Sequence, residues 1–292
     1  MKKIKILAYG LIAFFCFFSL HTTSIRGEGL STHILYVGGD GPGNYSSIQV
    51  AVNHASSGDT IFVYNGTYLE NLIIDKSIIL TGEQKQSTII YGNGETFVVT
   101  LSEDHITLSG FTITNSKLKF SFAGIYVHSD FNTITDTILT GNYYGMQLGY
   151  ATCYNRISNN TIFHNKQCGI YFNHASDNIL IGNIVSDHPV NGFGLYEFSN
   201  TNRIINNTFF QNRYSGVNIR ESYQNQVIGN TFIQNEVGLH MPSPEYQTTI
   251  DANTFADDVL ALEEERDAVV LSVVVFAILV FFTFLIMRKI LK

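Results

Sequence analysis

Six residues recur along the chain two positions after a glycine: Tyr126, Gln147, Tyr171, Tyr196, Asn218 and His240. The residues after each glycine alternate, as in Gly124-Ile-Tyr-Val-His and Gly169-Ile-Tyr-Phe-Asn. Period-two alternation marks a strand with one buried side, so the six should point outward as a ladder. A neighbouring row holds His128, Asn173, Glu197 and Arg220. Aromatic rings beside amides, a guanidinium and a carboxylate suit sugar recognition, because a ring packs on the C–H face of a pyranose while polar groups fix its hydroxyls. The expected ligand-binding residues are therefore Tyr126, His128, Tyr171, Asn173, Tyr196, Glu197, Asn218, Arg220 and His240. An exposed sheet also favours Tyr for packing alone, and that plainer reading stands beside the functional one.

Catalysis at a sugar by a pair of carboxylates needs two acids about 5 to 9.5 Å apart. The acids that come near this are Asp187, Glu197 and Glu221, paired as Glu197 with Glu221 or Asp187 with Glu197; no catalytic role is assigned to them, and Ca²⁺ enters only for a lyase. Soft metals want clustered Cys, Met or His. The body offers Met146 and Met241 besides dispersed His128, His164, His174, His188 and His240, with His164 and His188 as coil mates. No cofactor or metal ligand is assigned, and copper finds no support in these residues.

What positions such residues is a repeat. Asn132, Asn155, Asn178, Asn202 and Asn225 follow one another after 23, 23, 24 and 23 residues. Each unit reads Asn-x-apolar-x-x-Asn-x-apolar-x-x-Asn or His, as in Asn155, Ile157, Asn160, Ile162 and Asn165, then closes on the glycine-led strand. Three short strands in about 23 residues cannot bury an apolar side alone, and stacking copies does so. The expected fold is an all-β, right-handed parallel β-helix with stacked asparagines at its turns. Propeller blades are longer, and a leucine-rich frame is absent. Helical spacing at Ile48, Ala51, Val52 and Ala55, opened by Ser46 or Ser47, predicts a helix that caps the open end.

The ends of the chain differ from this body. Lys2, Lys3 and Lys5 run into an apolar stretch from Ile6 to Leu20, the order of a signal peptide. Ala268 to Met287 is uncharged and long enough to cross about 30 Å of hydrocarbon. Arg288, Lys289 and Lys292 follow it, which places the tail in the cytoplasm. The expected organisation is a leader at 1–29, a β-helix ectodomain at 30–256, an acidic stalk at 257–267, a transmembrane helix at 268–287 and a basic tail at 288–292. Residues 30–266 carry 10 Lys and Arg against 22 Asp and Glu, an acidic balance that argues against nucleic acid as a partner. Cys16 lies in the leader; Cys168 should sit above residue 145, too far around the coil from Cys153 for a disulfide.

The stretch Ser47-Ile-Gln-Val-Ala-Val-Asn-His-Ala through Leu69-Glu70, followed by Lys76-Ser-Ile-Ile-Leu-Thr-Gly82, resembles the first coil of right-handed parallel β-helix proteins. With the Asn-rich repeats, residues 35 to 255 resemble the NosD-like group, whose members are associated with copper delivery and with carbohydrate-binding or sugar-hydrolysing β-helix domains. The motif sets of polygalacturonases, alginate epimerases and pectin methylesterases are missing. The resemblance implies the fold and leaves three functions: glycan binding or display at the cell surface, a tethered polysaccharide lyase or hydrolase, and an accessory role in assembly or metal delivery at the outer face of the membrane.

Overall fold

The computed structural model describes residues 32–258 and 260–262. The leader, the 268–287 span, the basic tail and most of the stalk lie outside the described residues, among which no helix is long and apolar enough to cross a membrane.

The described chain winds a right-handed parallel β-helix of about ten turns. Sheet A has ten strands, from Ile34–Val37 to Thr249–Asp251. Sheets B and C have nine each, from Gly66–Leu69 to Thr254–Ala256 and from Leu72–Ile74 to Leu260–Leu262. Every pairing is parallel, each strand bonding its counterpart one coil before and after. Pairing of sheet C thus continues to Leu262, inside the segment expected to be stalk.

Constant register builds a continuous core. Ile134, Ile157, Leu180, Ile204 and Val227 form one inward column on sheet A. On sheet B, Leu139, Ile162, Val185, Phe209, Phe232 and Phe255 form another, its last three rings stacked 5.4 and 4.9 Å apart. The repeating glycines point inward at the start of the six sheet C strands from Ala123–Val127 to Val237–Met241. A Cβ at Gly169 would lie 2.5 Å from Val185 Cγ1 and 2.7 Å from the Gly192 carbonyl, so any side chain there collides with the core.

Each of the three turns follows one rule, a left-handed residue followed by a ladder position. Between sheets A and B these pairs include Asn159-Asn160, Gly182-Asn183, Asn206-Asn207 and Gly229-Asn230. The left-handed residue swings the next side chain inward, where its amide satisfies groups that the corner withdraws from strand pairing. Asn183 Oδ1 accepts from the backbone and side-chain amides of Asn160, both at 3.0 Å, while its Nδ2 donates to Ile157 O and Asn207 Oδ1, both at 2.9 Å. Columns starting at Asn132 and at Asn142 repeat the pattern. Among the described residues the third ends on Asp258, which accepts from Asn235 N–H.

The helix α1 (Ile48–His54) caps the open end, with Ser47 as N-cap and Ile48, Ala51 and Val52 buried. The next coil holds both its ends. Glu70 accepts from Ser47 Oγ and from the backbone amides of Ile48 and Gln49 at 2.8 to 2.9 Å. Lys76 Nζ donates to the carbonyls of Val52, Asn53 and Ala55. These six bonds explain why Glu70 and Lys76 appear in the first-coil motif. Glu70→Ala should cost about 3 kcal/mol, since charge-assisted bonds are the stronger class. The loss should appear as a lower melting temperature with faster amide exchange confined to α1 and its neighbouring coil.

Candidate functional site

The outer face of sheet C carries the predicted ladder, with changes. Tyr126, Gln147 and Tyr171 are in register, but the next coil contributes Gly194, followed by Asn218 and His240. Tyr196 pairs with Asn173, two positions on, and so belongs to the row of His128 and Arg220. Its ring nevertheless leans back over Gly194, where a Cβ would strike it, and stacks 5.2 Å from Tyr171. Tyr171 in turn stacks 4.7 Å from Tyr144. The glycine leaves the rung that Tyr196 fills, and Asn191 Nδ2 donates to its phenol oxygen at 2.8 Å.

Half of this face is covered. Tyr144 and Cys168, in adjacent coils and both pointing outward, form a small second core with Ala123 against Phe97, Tyr143, Tyr171 and Val190. Cys168 thus stacks on Tyr144, not on residue 145; its thiol is pushed up to about 12 by burial, and Cys153 is likewise free. Asn218 and His240 are buried, His240 lying against the edge of Tyr214 and bonding Asn218. Neither offers the exposed polar group that the sequence reading assigned to it. Tyr126, Tyr171 and Tyr196 are half-buried, with their phenols raised chiefly by burial, while His128 and Arg220 stay exposed.

The acids are not gathered into one centre. Asp187 lies in the turn before the strand Asn191–Tyr196 and Glu197 in the turn after it, so a strand of six residues, about 20 Å at 3.3 Å each, separates them. Glu197 and Glu221 are coil mates, as Phe198 N–H bonds Glu221 O. Glu197 accepts from Asn173 Nδ2 at 3.0 Å and lies 3.8 Å from His174 Nδ1.

The open side of the face is the turn from sheet C to sheet A, where two rows of rings run along the axis. His105, Phe131 and Tyr154 stack at 5.2 and 5.0 Å. Tyr150, His174, Phe198 and Tyr223 follow at 4.8, 5.8 and 6.5 Å. Tyr150 is 71% exposed, Tyr154 55%, Phe198 54% and Phe131 47%. Between the rows, side chains bond the backbone one coil away: Asp104 accepts from Asp130 N–H, Asp130 from Cys153 N–H, and Asn200 from Tyr223 N–H. A depression of about 360 Å³ opens there beside Glu103, Asp104, His128, Asp130 and Tyr150.

The backbone makes these rings costly. His105, Phe131, Tyr154, His174 and Phe198 all have φ between 54 and 61°. Left-handed geometry is uncommon for bulky residues, and Asn or Gly fills the same role in the A-to-B turn. Exposed rings in left-handed positions serve neither the core nor the turn, which points to a ligand. The alternation after the glycines carries no sign of these rows, which lie in the turns. The usable signal was an aromatic immediately before a ladder Asn, Phe131 and Tyr154 at a spacing of 23, where a turn residue belongs.

Residues 52–268 match the family described as periplasmic copper-binding protein (NosD). The chain belongs to the NosD family. No curated protein sequence matches it. Among solved structures, a pectate lyase, Pel9A, aligns with a TM-score of 0.59 at 16% identity over 80% of this chain and 78% of its own. The pectin methylesterase of Aspergillus niger gives 0.57 at 16% over 76% and 85%. That of Erwinia chrysanthemi gives 0.54 at 14% over 82% and 94%. At such identities the likeness is one of fold.

Among the described residues, the soft side chains that copper would want do not come together. Met146 and Met241 are core residues, and Cys168 is enclosed by tyrosines. His188 does not meet His164; it replaces an asparagine in the ladder above Asn165. Its Nδ1 is 2.9 Å from Asn212 Oδ1 and its Nε2 3.1 Å from Asn165 Nδ2. Since the oxygen accepts and the amide donates, the proton sits on Nδ1 and both nitrogens are engaged. No group of three or more His, Cys, Asp or Glu comes together as a metal site among the described residues.

The buried His188 should make stability depend on pH. Burial lowers its pKa to about 4, against about 6.5 unfolded, so the unfolded chain binds the extra proton between those values. The stabilisation is whole above about pH 6.5, declines as pH falls, and stops declining below about 4, for a total of about 3 kcal/mol. His188→Asn should flatten that part of the profile in denaturant titrations.

Proposed function

We propose that the protein is an exported β-helix, anchored by the 268–287 span, that binds a polysaccharide or glycan chain along its C-to-A turn face without cleaving it. The observation that carries this reading is the double row of seven rings along this turn face, most of them exposed and five of them held in left-handed backbone. Rings present apolar faces to sugar C–H groups, and the intervening His128, Asn173, Glu197 and Arg220 supply donors and acceptors for hydroxyls. The coil repeat of about 4.8 Å places a ring at intervals comparable to one sugar of an extended chain. Rigid backbone keeps the ordering cost of binding low. The relation of fold to pectate lyase and pectin methylesterases supports a carbohydrate ligand. The separation of Asp187 from Glu197 argues against hydrolysis by that pair.

The anchor is supported by the uncharged 268–287 stretch and the basic residues after it, and export by the basic-then-apolar start. A glycan array probed with the purified full chain tests the function. Tyr150→Ala combined with Phe198→Ala, both rings being exposed, should weaken binding by at least about tenfold while leaving the melting temperature near that of the parent. Undiminished binding by the double variant would contradict the assignment.

A further inference from the structure

The C-to-A turns are the most acidic turns of the solenoid. From Ser102 to Gln247, the C-to-A turns hold Glu103, Asp104, Asp130, Asp177, Glu197, Glu221 and Glu245 against the single base Arg220. From Glu70 to Asp258, the B-to-C turns hold Glu70, Glu95, Asp187, Glu236, Asp257 and Asp258 against Lys117, Lys119, Lys166 and Arg213. The face that also carries the rings thus holds the largest share of the body's acidity. Of its acids, Glu103, Asp177, Glu197, Glu221 and Glu245 are exposed.

Resting on the glycan-binding reading above, we propose that the ligand is an amine-bearing glycan, a polymer with free protonated amino groups on its sugars, and not a polyuronate. Two features of the face favour ammonium independently. Carboxylates on one face sum to a field that attracts cations and repels a polyanion. Exposed ring faces attract ammonium through the negative face of the ring. Both meet where Tyr150, the most exposed of these rings, borders the depression that Glu103, Asp104 and Asp130 also line. Asp104 and Asp130 each give one oxygen to a backbone amide of the neighbouring coil, which fixes their orientation. Rings of successive coils would lie under successive sugars, with carboxylates flanking the amino groups. A neutral glycan gains only the stacking, and a chain of uronic acids meets like charge along its length.

Calorimetric titration of the purified full chain with three oligosaccharides of matched length separates this inference from the reading beneath it. The probes are a β-1,4-linked glucosamine oligomer, its N-acetylated counterpart and a galacturonate oligomer, at mildly acidic pH. The glucosamine oligomer should bind at least about tenfold tighter than the acetylated one, with the advantage shrinking as salt is raised, and the galacturonate oligomer weakest. Glu103→Gln with Glu221→Gln, both exposed carboxylates, should bring the glucosamine oligomer down toward the acetylated level. Equal or tighter binding of the acetylated or galacturonate oligomer would overturn the amine preference and leave glycan binding intact. A lysine oligomer of equal charge binding as tightly as the glucosamine oligomer would overturn the glycan as occupant, and binding of none of the probes would count against both.

Discussion

Replacing Ile157 with Asp should leave no cooperative unfolding transition to measure. Ile157 is fully buried in the middle of the sheet A column, between Ile134 and Leu180. The substitution forfeits the burial of a large aliphatic group, about 2 to 5 kcal/mol with the space it leaves, and adds a carboxylate with no partner. Together these reach the whole stability of an ordinary domain, about 5 to 15 kcal/mol. Ile157→Val, at about 1 kcal/mol, is the control that separates charge from shape. Calorimetry of both variants checks the register directly. An Asp variant that melts like its parent would place residue 157 on the surface.

The second large effect is expected from the ladder. Asn183→Leu keeps approximate size but removes four side-chain hydrogen bonds in the middle of the A-to-B column. The Asn160 backbone N–H loses its acceptor and the Ile157 carbonyl its Asn183 donor, both out of reach of water. Buried orphans cost about 1 to 3 kcal/mol each, so about 4 kcal/mol in all is expected, several times the effect of a surface change. Asn253→Asp, at the last described coil of the same column, should cost less, because its oxygen still accepts from Asn230 and it forfeits only the Nδ2 donation to Val227 O at a half-exposed position. Denaturant midpoints for the two variants test whether cost follows position in the stack.

The fold was legible because stacking in register demands a constant period, and Asn155 to Asn178 to Asn202 states that period openly. The inward glycines and the capping helix were legible for the same reason, as each position has one steric solution. The outer face was harder. The coil from Asn178 to Asn202 is one residue longer, and the structure puts the extra residue in a turn, where Glu197 and Phe198 are both left-handed. Two glycines in the strand, Gly192 inward and Gly194 outward, then allowed counting from the wrong one, which displaced Tyr196 by two positions. Asn218 and His240 were misjudged differently, since alternation tells which way a side chain points but not whether a neighbouring Tyr214 covers it. The rows through Phe131, Tyr154 and Phe198 escaped notice because turn residues are ordinarily small and polar, and their departure from that rule is what gives them meaning.

Localising the ligand tests the central claim most directly. Amide hydrogen exchange of the full chain, with and without a saturating glycan found on the array, should show added protection in residues 102–106, 128–132, 150–155, 173–178 and 197–202. The outer face of sheet B should be unchanged. Protection confined to sheet B or to the B-to-C turns, with the C-to-A turns unaltered, would contradict the assignment of the ring-bearing face as the binding surface.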